Sequence, residues 1–297
     1  DNGKFMRKIK SYGSWGNSVY LYEPHDDINH LNELMRKNGV KGIVLSLAVN
    51  DLAVLTKLDF LEEIHIPSNN VKDIELLYSF NKLQRLHLLN DDTIRIDLSN
   101  LPQLEEAVLI RRNGVDNIFN HNSLKKILLL DFKEKKEHEV CSSVLQSIEF
   151  KNSNIPALPA LGFIESLKEI IISGLTRTTD TKFLKELINI ERISISAYKK
   201  LEDSLISEIS QLATIKRLGL SKMGDISGIS SLINLKNLER LNITENTKIV
   251  DGKISFLRNM GKLNYLNIQG YNHYDSNVWT LMADIRNKNN LSSKLFE

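Results

Sequence analysis

Leu238-Glu239-Arg240-Leu241-Asn242-Ile243 places apolar residues first, fourth and sixth, framed by polar ones, and the rest of the chain repeats this shape. Working outward, the same pattern stands at 40–45, 61–66, 83–88, 104–109, 124–129, 145–150, 167–172, 190–195, 215–220 and 263–268. Successive starts lie 21, 22, 21, 20, 21, 22, 23, 25, 23 and 25 residues apart. Apolar residues two apart share one side of a strand. A fixed period in the twenties then means one strand-and-return unit used again and again, each too small to bury its apolar side alone.

The L-x-x-L-x-L core at this spacing resembles the leucine-rich repeat family, and the resemblance runs from 40 to 270. Two connectors add detail. Residues 152–159, Asn-Ser-Asn-Ile-Pro-Ala-Leu-Pro, resemble bacterial repeats of the leucine-and-proline type, and residues 225–238 resemble those of internalin-like proteins. The resemblance implies an α/β solenoid: a right-handed superhelix with a curved parallel β-sheet on its concave face and short helices or 3-10 turns on its convex face. Family repeats usually place asparagine at motif position 9, where its amide bonds the backbone of neighbouring turns; Asn69 and Asn246 match, while positions 91, 112, 132, 153, 223 and 271 hold other residues.

Stacked repeats share one core, so the array is expected to have no internal boundary over residues 40–270. Its open ends need covering. Residues 1–39 leave the period: Val19-Tyr20-Leu21-Tyr22 has strand composition, and Asp26-Asp27 precede Ile28, Leu31, Leu34 and Met35 at helical spacing, closed by Asn38-Gly39. This flank is expected to be a strand-and-helix cap, with Tyr12, Trp15, Tyr20 and Tyr22 packed into it. Residues 271–297 form a second, helical cap carrying Val278, Leu281, Met282 and Ile285, with Trp279 alongside. Two longer connectors also read as helices. Asp180 would cap Phe183, Leu184, Leu187 and Ile188, and Asp203 would cap Leu205, Ile206, Ile209 and Leu212.

With 297 residues, 41% hydrophobic and 26% charged, the chain has ample material for a core. Its 39 basic and 37 acidic residues leave a net charge of +2, no field for nucleic acid or an anionic membrane. The stretch Lys133-Glu134-Lys135-Lys136-Glu137 mixes signs and reads as a solvated loop. No apolar run approaches the roughly 18 residues of a membrane span. One cysteine, Cys141, excludes an intrachain disulfide and favours a reducing, cytoplasmic compartment or a bacterial protein, whose secreted chains also often lack cysteine; its place in a connector makes it a structural thiol. No P-loop, G-x-S-x-G or H-E-x-x-H motif appears, so no enzyme and no cofactor is expected.

Function is then expected on the outward columns, since inward residues are committed to packing. Counting the first leucine as position 1, positions 4 and 6 face the core, and positions 3, 5 and 7 face out. Position 3 alternates in sign over Glu63, Arg85, Glu106 and Lys126, which fixes register, and then runs Arg192, Arg217, Arg240. Three successive arginines suit an acidic patch on a partner. Positions 5 and 7 gather Leu89, Val108, Ile110, Leu128 and Leu130, with Ile171 two strands beyond. An outward apolar cluster of this extent marks an interface. His65 and His87 share a column, but two ligands without a third make no metal site, and contact with a partner is the expected role.

The expected function is therefore non-catalytic protein–protein recognition on the concave face, with no nucleic acid and no metal. The bacterial flavour of the connectors offers a variant: the targeting part of a bacterial effector, or a toxin-neutralising protein, with any catalysis in another chain.

Overall fold

This computed structural model describes residues 8–10, 18–67, 71, 73–89, 95–111, 114–132, 142–153, 161, 164–174, 182–197 and 204–294. Tyr12, Trp15, Asn69, Lys133 to Glu137, Cys141, Asp180, Asp203 and most of 152–159 lie outside them. The chain divides into two compact units, Asp1–Leu145 and Gln146–Glu297.

In the first unit, β1 (Lys8–Lys10) pairs antiparallel with β2 (Ser18–Tyr22), and helix α1 (Ile28–Lys37) follows. Strand β2 then runs parallel to β3 (Gly42–Leu45), so the N-terminal flank adds two strands to the sheet besides its helix. The ladder continues in parallel through β4 (Glu63–Ile66) and β5 (Arg85–Leu89). A two-residue strand, β6 (Ile96–Asp97), precedes β7 (Glu106–Ile110) and pairs with β8 (Val115–Asp116), away from the main ladder. Strand β9 (Lys126–Leu130) pairs with β7.

Helix α1 starts where the sequence marks it. The Asp27 carboxylate accepts from the backbone N–H groups of Asn29 at 2.9 Å and His30 at 3.4 Å, satisfying two donors that have no partner within the helix. It stops at Asn38, and Gly39 turns the chain with φ +62°. Ile28, Leu31 and Met35 are buried.

The second unit holds β10 (Ser147–Lys151), β11 (Glu169–Ser173) and β12 (Arg192–Ser196), then helix α2 (Ser204–Ile209) and β13 (Arg217–Ser221). After these come β14 (Gly224–Ile226), β15 (Arg240–Thr244), β16 (Thr247–Ile249), β17 (Tyr265–Ile268) and helix α3 (Val278–Lys294). Strands β10, β11, β12, β13, β15 and β17 form one parallel ladder; β14 and β16 form a small second one. Helix α3 buries Val278, Leu281 and Ile285 and leaves Trp279 77% exposed; Asn277 caps it by accepting from the Thr280 N–H at 3.0 Å.

All eleven motif strands begin at position 3. From β5 onward positions 4 and 6 are buried in every one of them, as in the alternating burial of Arg85–Leu89 and Arg240–Thr244. The return segments are 3-10 turns at Ala53–Lys57, Ile74–Ser79, Leu98–Asn100, Lys182–Glu186, Ser230–Asn234 and Ser255–Asn259. Their leucines Leu55, Leu77, Leu98, Leu232 and Leu257 are buried, so the core lies between sheet and returns. Parallel strands in register joined by 3-10 returns at this period make each unit a stack of leucine-rich repeats, an α/β solenoid fold.

Two local expectations are corrected. The helix expected over 183–188 is a 3-10 turn at Lys182–Glu186; Phe183, Leu184 and Leu187 are buried, but Ile188 falls beyond the turn and is 64% exposed. Asn246 does not bond the neighbouring turn through its side chain. It is exposed with φ +61°, and its N–H is instead taken by Gln269. Thr247, fully buried one residue later, does the work: its hydroxyl accepts from Met223 N–H at 3.1 Å and donates to the Thr244 carbonyl at 2.8 Å.

A second regularity carried no clear sequence mark. Position 8 is left-handed in Arg111, Asp131, Asn152, Gly174, Ala197, Lys222 and Glu245, with φ between +49° and +67°. Such a conformation is costly for residues other than Gly, Asn and Asp. Tertiary bonding offsets it: the N–H of Arg111 donates to Leu130 O at 2.8 Å, Gly174 to Ser196 O at 3.0 Å, and Ala197 to Ser221 O at 3.0 Å. The turn directs each strand's end into its return, which fixes positions 3, 5 and 7 as the outer face. Among the described residues, no helix is long and apolar enough to cross a membrane.

Candidate functional site

On the first unit the outer face of β5, β7 and β9 is apolar. Leu89 stands in register with Ile110, Val108 with Leu128, and Ile110 with Leu130. All five are half-buried, while Ala107, Leu109, Ile127 and Leu129, on the other side of the same strands, are at most 2% exposed. The sequence-assigned cluster is thus one contiguous patch crossing three strands. Charges flank it along position 3: Lys126 Nζ lies 3.3 Å from Glu106 Oε1, and Arg85 3.7 Å from Glu63. Ile171 belongs to the second unit, where it is half-buried between Glu149 and Ser194.

His65 is not on a free surface. Strands β3 and β4 are buried on both faces, and His65 is 3% exposed. Its Nε2 donates to Oε1 of Glu63 at 2.6 Å, itself 3% exposed. The expectation that His65 meets a partner is therefore corrected: sheet alternation says which side a residue faces, not whether that side is covered. His87, in the next strand, is half-buried with its ring 5.1 Å from that of His65. Burial lowers its pKa from 6.5 to about 4; the neighbouring His65 adds to this and Glu63 opposes it. Its imidazole is neutral at pH 7. Among the described residues no group of three or more metal-ligating side chains comes together.

On the second unit the outer face has another chemistry. Arg192, Arg217 and Arg240 are in register on β12, β13 and β15, as the spacing implied, and all three are exposed. Arg192 pairs with Glu169 at 2.6 Å. Arg240 lies over the Tyr265 ring, 5.0 Å from its centroid. Among the described residues, Arg217 makes no ion pair. Glu191, one residue before Arg192, is taken by Lys216 at 2.9 Å; that hydrogen bond lowers the Glu191 pKa and raises that of Lys216.

Below the arginines, Ser194, Gly219, Asn242 and Asn267 follow one another in register at position 5. Gly219 leaves the middle of this row without a side chain, and a cleft of about 460 Å³ opens there between the arginines and Asn267. Sequence reasoning marked the arginines but missed the cleft and the Glu169 partner. Both signals were present: a lone glycine in a column otherwise holding side chains, and an acid one strand earlier in the same column.

No protein-family model and no curated protein matches this sequence. Among solved structures, an internalin of Listeria monocytogenes is similar at 17% identity over 82% of this chain and 78% of its own, with a TM-score of 0.49. Internalin C2 of the same bacterium is 16% identical over 64% of this chain and 83% of its own, TM-score 0.43. The structure of Drosophila Toll with Spatzle matches at 15% identity over 89% of this chain but 44% of its own, TM-score 0.44.

Proposed function

We infer that this chain is a non-catalytic recognition scaffold that binds a protein partner on the outer face of its sheet. The observation that carries the reading is the patch of Leu89, Val108, Ile110, Leu128 and Leu130, side by side on three strands and facing away from the core. Rigid in-register strands hold such a patch without the entropy cost of ordering a loop, and apolar anchors ringed by charge supply most of the affinity at protein interfaces. His87 widens the contact within the first unit, and within the second Arg192, Arg217, Arg240 and Ile171 offer a surface of their own that suits acidic groups of a partner. The internalin-like sequence of 225–238 favours a bacterial chain used for targeting or neutralisation, with any catalysis in another protein.

The test is affinity capture from a lysate of the source organism with the wild type and Leu128→Glu/Leu130→Glu. The double variant is expected to keep its circular-dichroism spectrum and lose the captured protein. Trp279→Glu, on exposed α3, is expected to retain it. Unfolding of the double variant would make those leucines core, and undiminished capture would remove the patch as the grip.

A further inference from the structure

We propose that the cleft above Gly219 is a discrete oxyanion pocket that receives the carboxylate side chains of an extended, acidic peptide segment. The proposal rests on the recognition reading above and adds a second, chemically distinct contact to it.

Charge comes first. Parallel strands stack about 4.8 Å apart, so guanidiniums at the same position of three neighbouring strands repel unless anions lie between them. Glu169 relieves Arg192 alone. Lys216 holds Glu191 by a hydrogen bond and also feels Glu239, and Arg217 acts on Glu191 more weakly than Lys216 does. Among the described residues neither Arg217 nor Arg240 makes an ion pair, so both present guanidinium donors to the cleft, and Arg240 lies over the Tyr265 ring. Planar guanidiniums match carboxylates with paired hydrogen bonds.

Shape comes second. The outward column at position 5 carries Val108, Leu128, Glu149 and Ile171 before it reaches Ser194, Gly219 and Asn242. A Cβ on Gly219 would stand 3.1 Å from Ser194 Oγ, so the absence of a side chain opens this space. At about 460 Å³ the cleft exceeds what a single small anion fills and suits a few residues of peptide.

The floor comes third. Among the described residues, the side chains of Ser194, Ser221, Asn242 and Asn267 have no hydrogen-bond partner within the chain, although all are half-buried. Hydroxyls and amides both donate and accept. They pair with the N–H and C=O groups of an extended backbone whose acidic side chains reach the arginines.

The probe is a fluorescein-labelled hexaglutamate peptide, with hexaglutamine and oligouridylate as controls, followed by fluorescence anisotropy at low and physiological salt. Hexaglutamate is expected to bind at least tenfold tighter than either control. Arg217→Ala should weaken it about tenfold. Gly219→Leu keeps every charge but fills the cleft, and should weaken it comparably; a circular-dichroism spectrum identical to wild type certifies its fold, with Gly219→Ser as the milder variant should Leu not fold. Trp279→Ala, outside both surfaces, should leave hexaglutamate binding intact, and the capture test reads the apolar patch alone, so this pocket and the apolar grip fail separately. Equal binding of hexaglutamine, binding that survives filling of the cleft, or stronger binding of oligouridylate would each overturn the proposal.

Discussion

Strand β9 of the first unit and strand β13 of the second bury the same two motif positions, Ile127 and Leu129 in one, Leu218 and Leu220 in the other. Their outer sides share an exposed basic residue at position 3, Lys126 and Arg217, and differ beyond it. Beside Leu128 stands Val108, whereas beside Gly219 stand Ser194 and Asn242. The inner positions answer to packing, which accepts few side chains; the outer ones are free of that constraint and can be set by a ligand. In each unit the outer face is therefore the part left free to vary, apolar in the first and cationic over a polar floor in the second.

The shared inner side gives the largest expected effect. Leu129→Ala and Ile193→Ala, one per unit, should each cost about 2–5 kcal/mol in urea unfolding, while outer Leu128→Ala should cost less than about 1 kcal/mol. Similar costs for Leu128 and Leu129 would erase the distinction between faces. Half-buried His87, on the outer side of β5 beside the covered His65, gives the next. His87 resists protonation until about pH 4, whereas in the unfolded chain it protonates near its ordinary 6.5. Between those values the unfolded chain binds the extra proton, so stability falls as pH falls through that window, by up to about 3 kcal/mol for this group. His65 and Glu63 face it from β4 and Arg85 from its own strand, so the share belonging to His87 is read as the difference from His87→Gln. An unchanged urea-against-pH curve in that variant would mean the ring is already solvated. The smallest effect belongs to the exposed cationic side: a double-mutant cycle on Arg192 and Glu169, 46% and 27% exposed, should give a coupling below about 1 kcal/mol. A larger value would make the pair a stability element, leaving less of Arg192 for a ligand.

Strand starts, facing and helix α1 with its Asp27 cap were legible in the sequence because each rests on a local period or a local hydrogen bond. Fitting eleven strands to one motif leaves no freedom about which residue points inward. What covers an outward residue is a non-local matter, and there the reading failed. His65 sits in the same column as His87, yet its strand is buried on both faces while that of His87 is not. Asn246 matched the family's asparagine position. The left-handed pair Glu245 and Asn246 turns that side chain outward, so the inward bond passes to Thr247. The three arginines were found by column, but the cleft beneath them arises from what Gly219 lacks, and scanning for charge or bulk does not register a missing side chain.

The central claim is that the outer face of β5, β7 and β9 is open in the free chain and closed by a protein partner. Diazirine footprinting with mass spectrometry, on the chain alone and in complex with the captured partner, reads this residue by residue. The account predicts label on Val108, Ile110, Leu128 and Leu130 in the free chain, its loss in the complex, and none on Ala107, Leu109, Ile127 or Leu129 in either. Label on the second set, or label on the first set that the partner leaves unchanged, would contradict it.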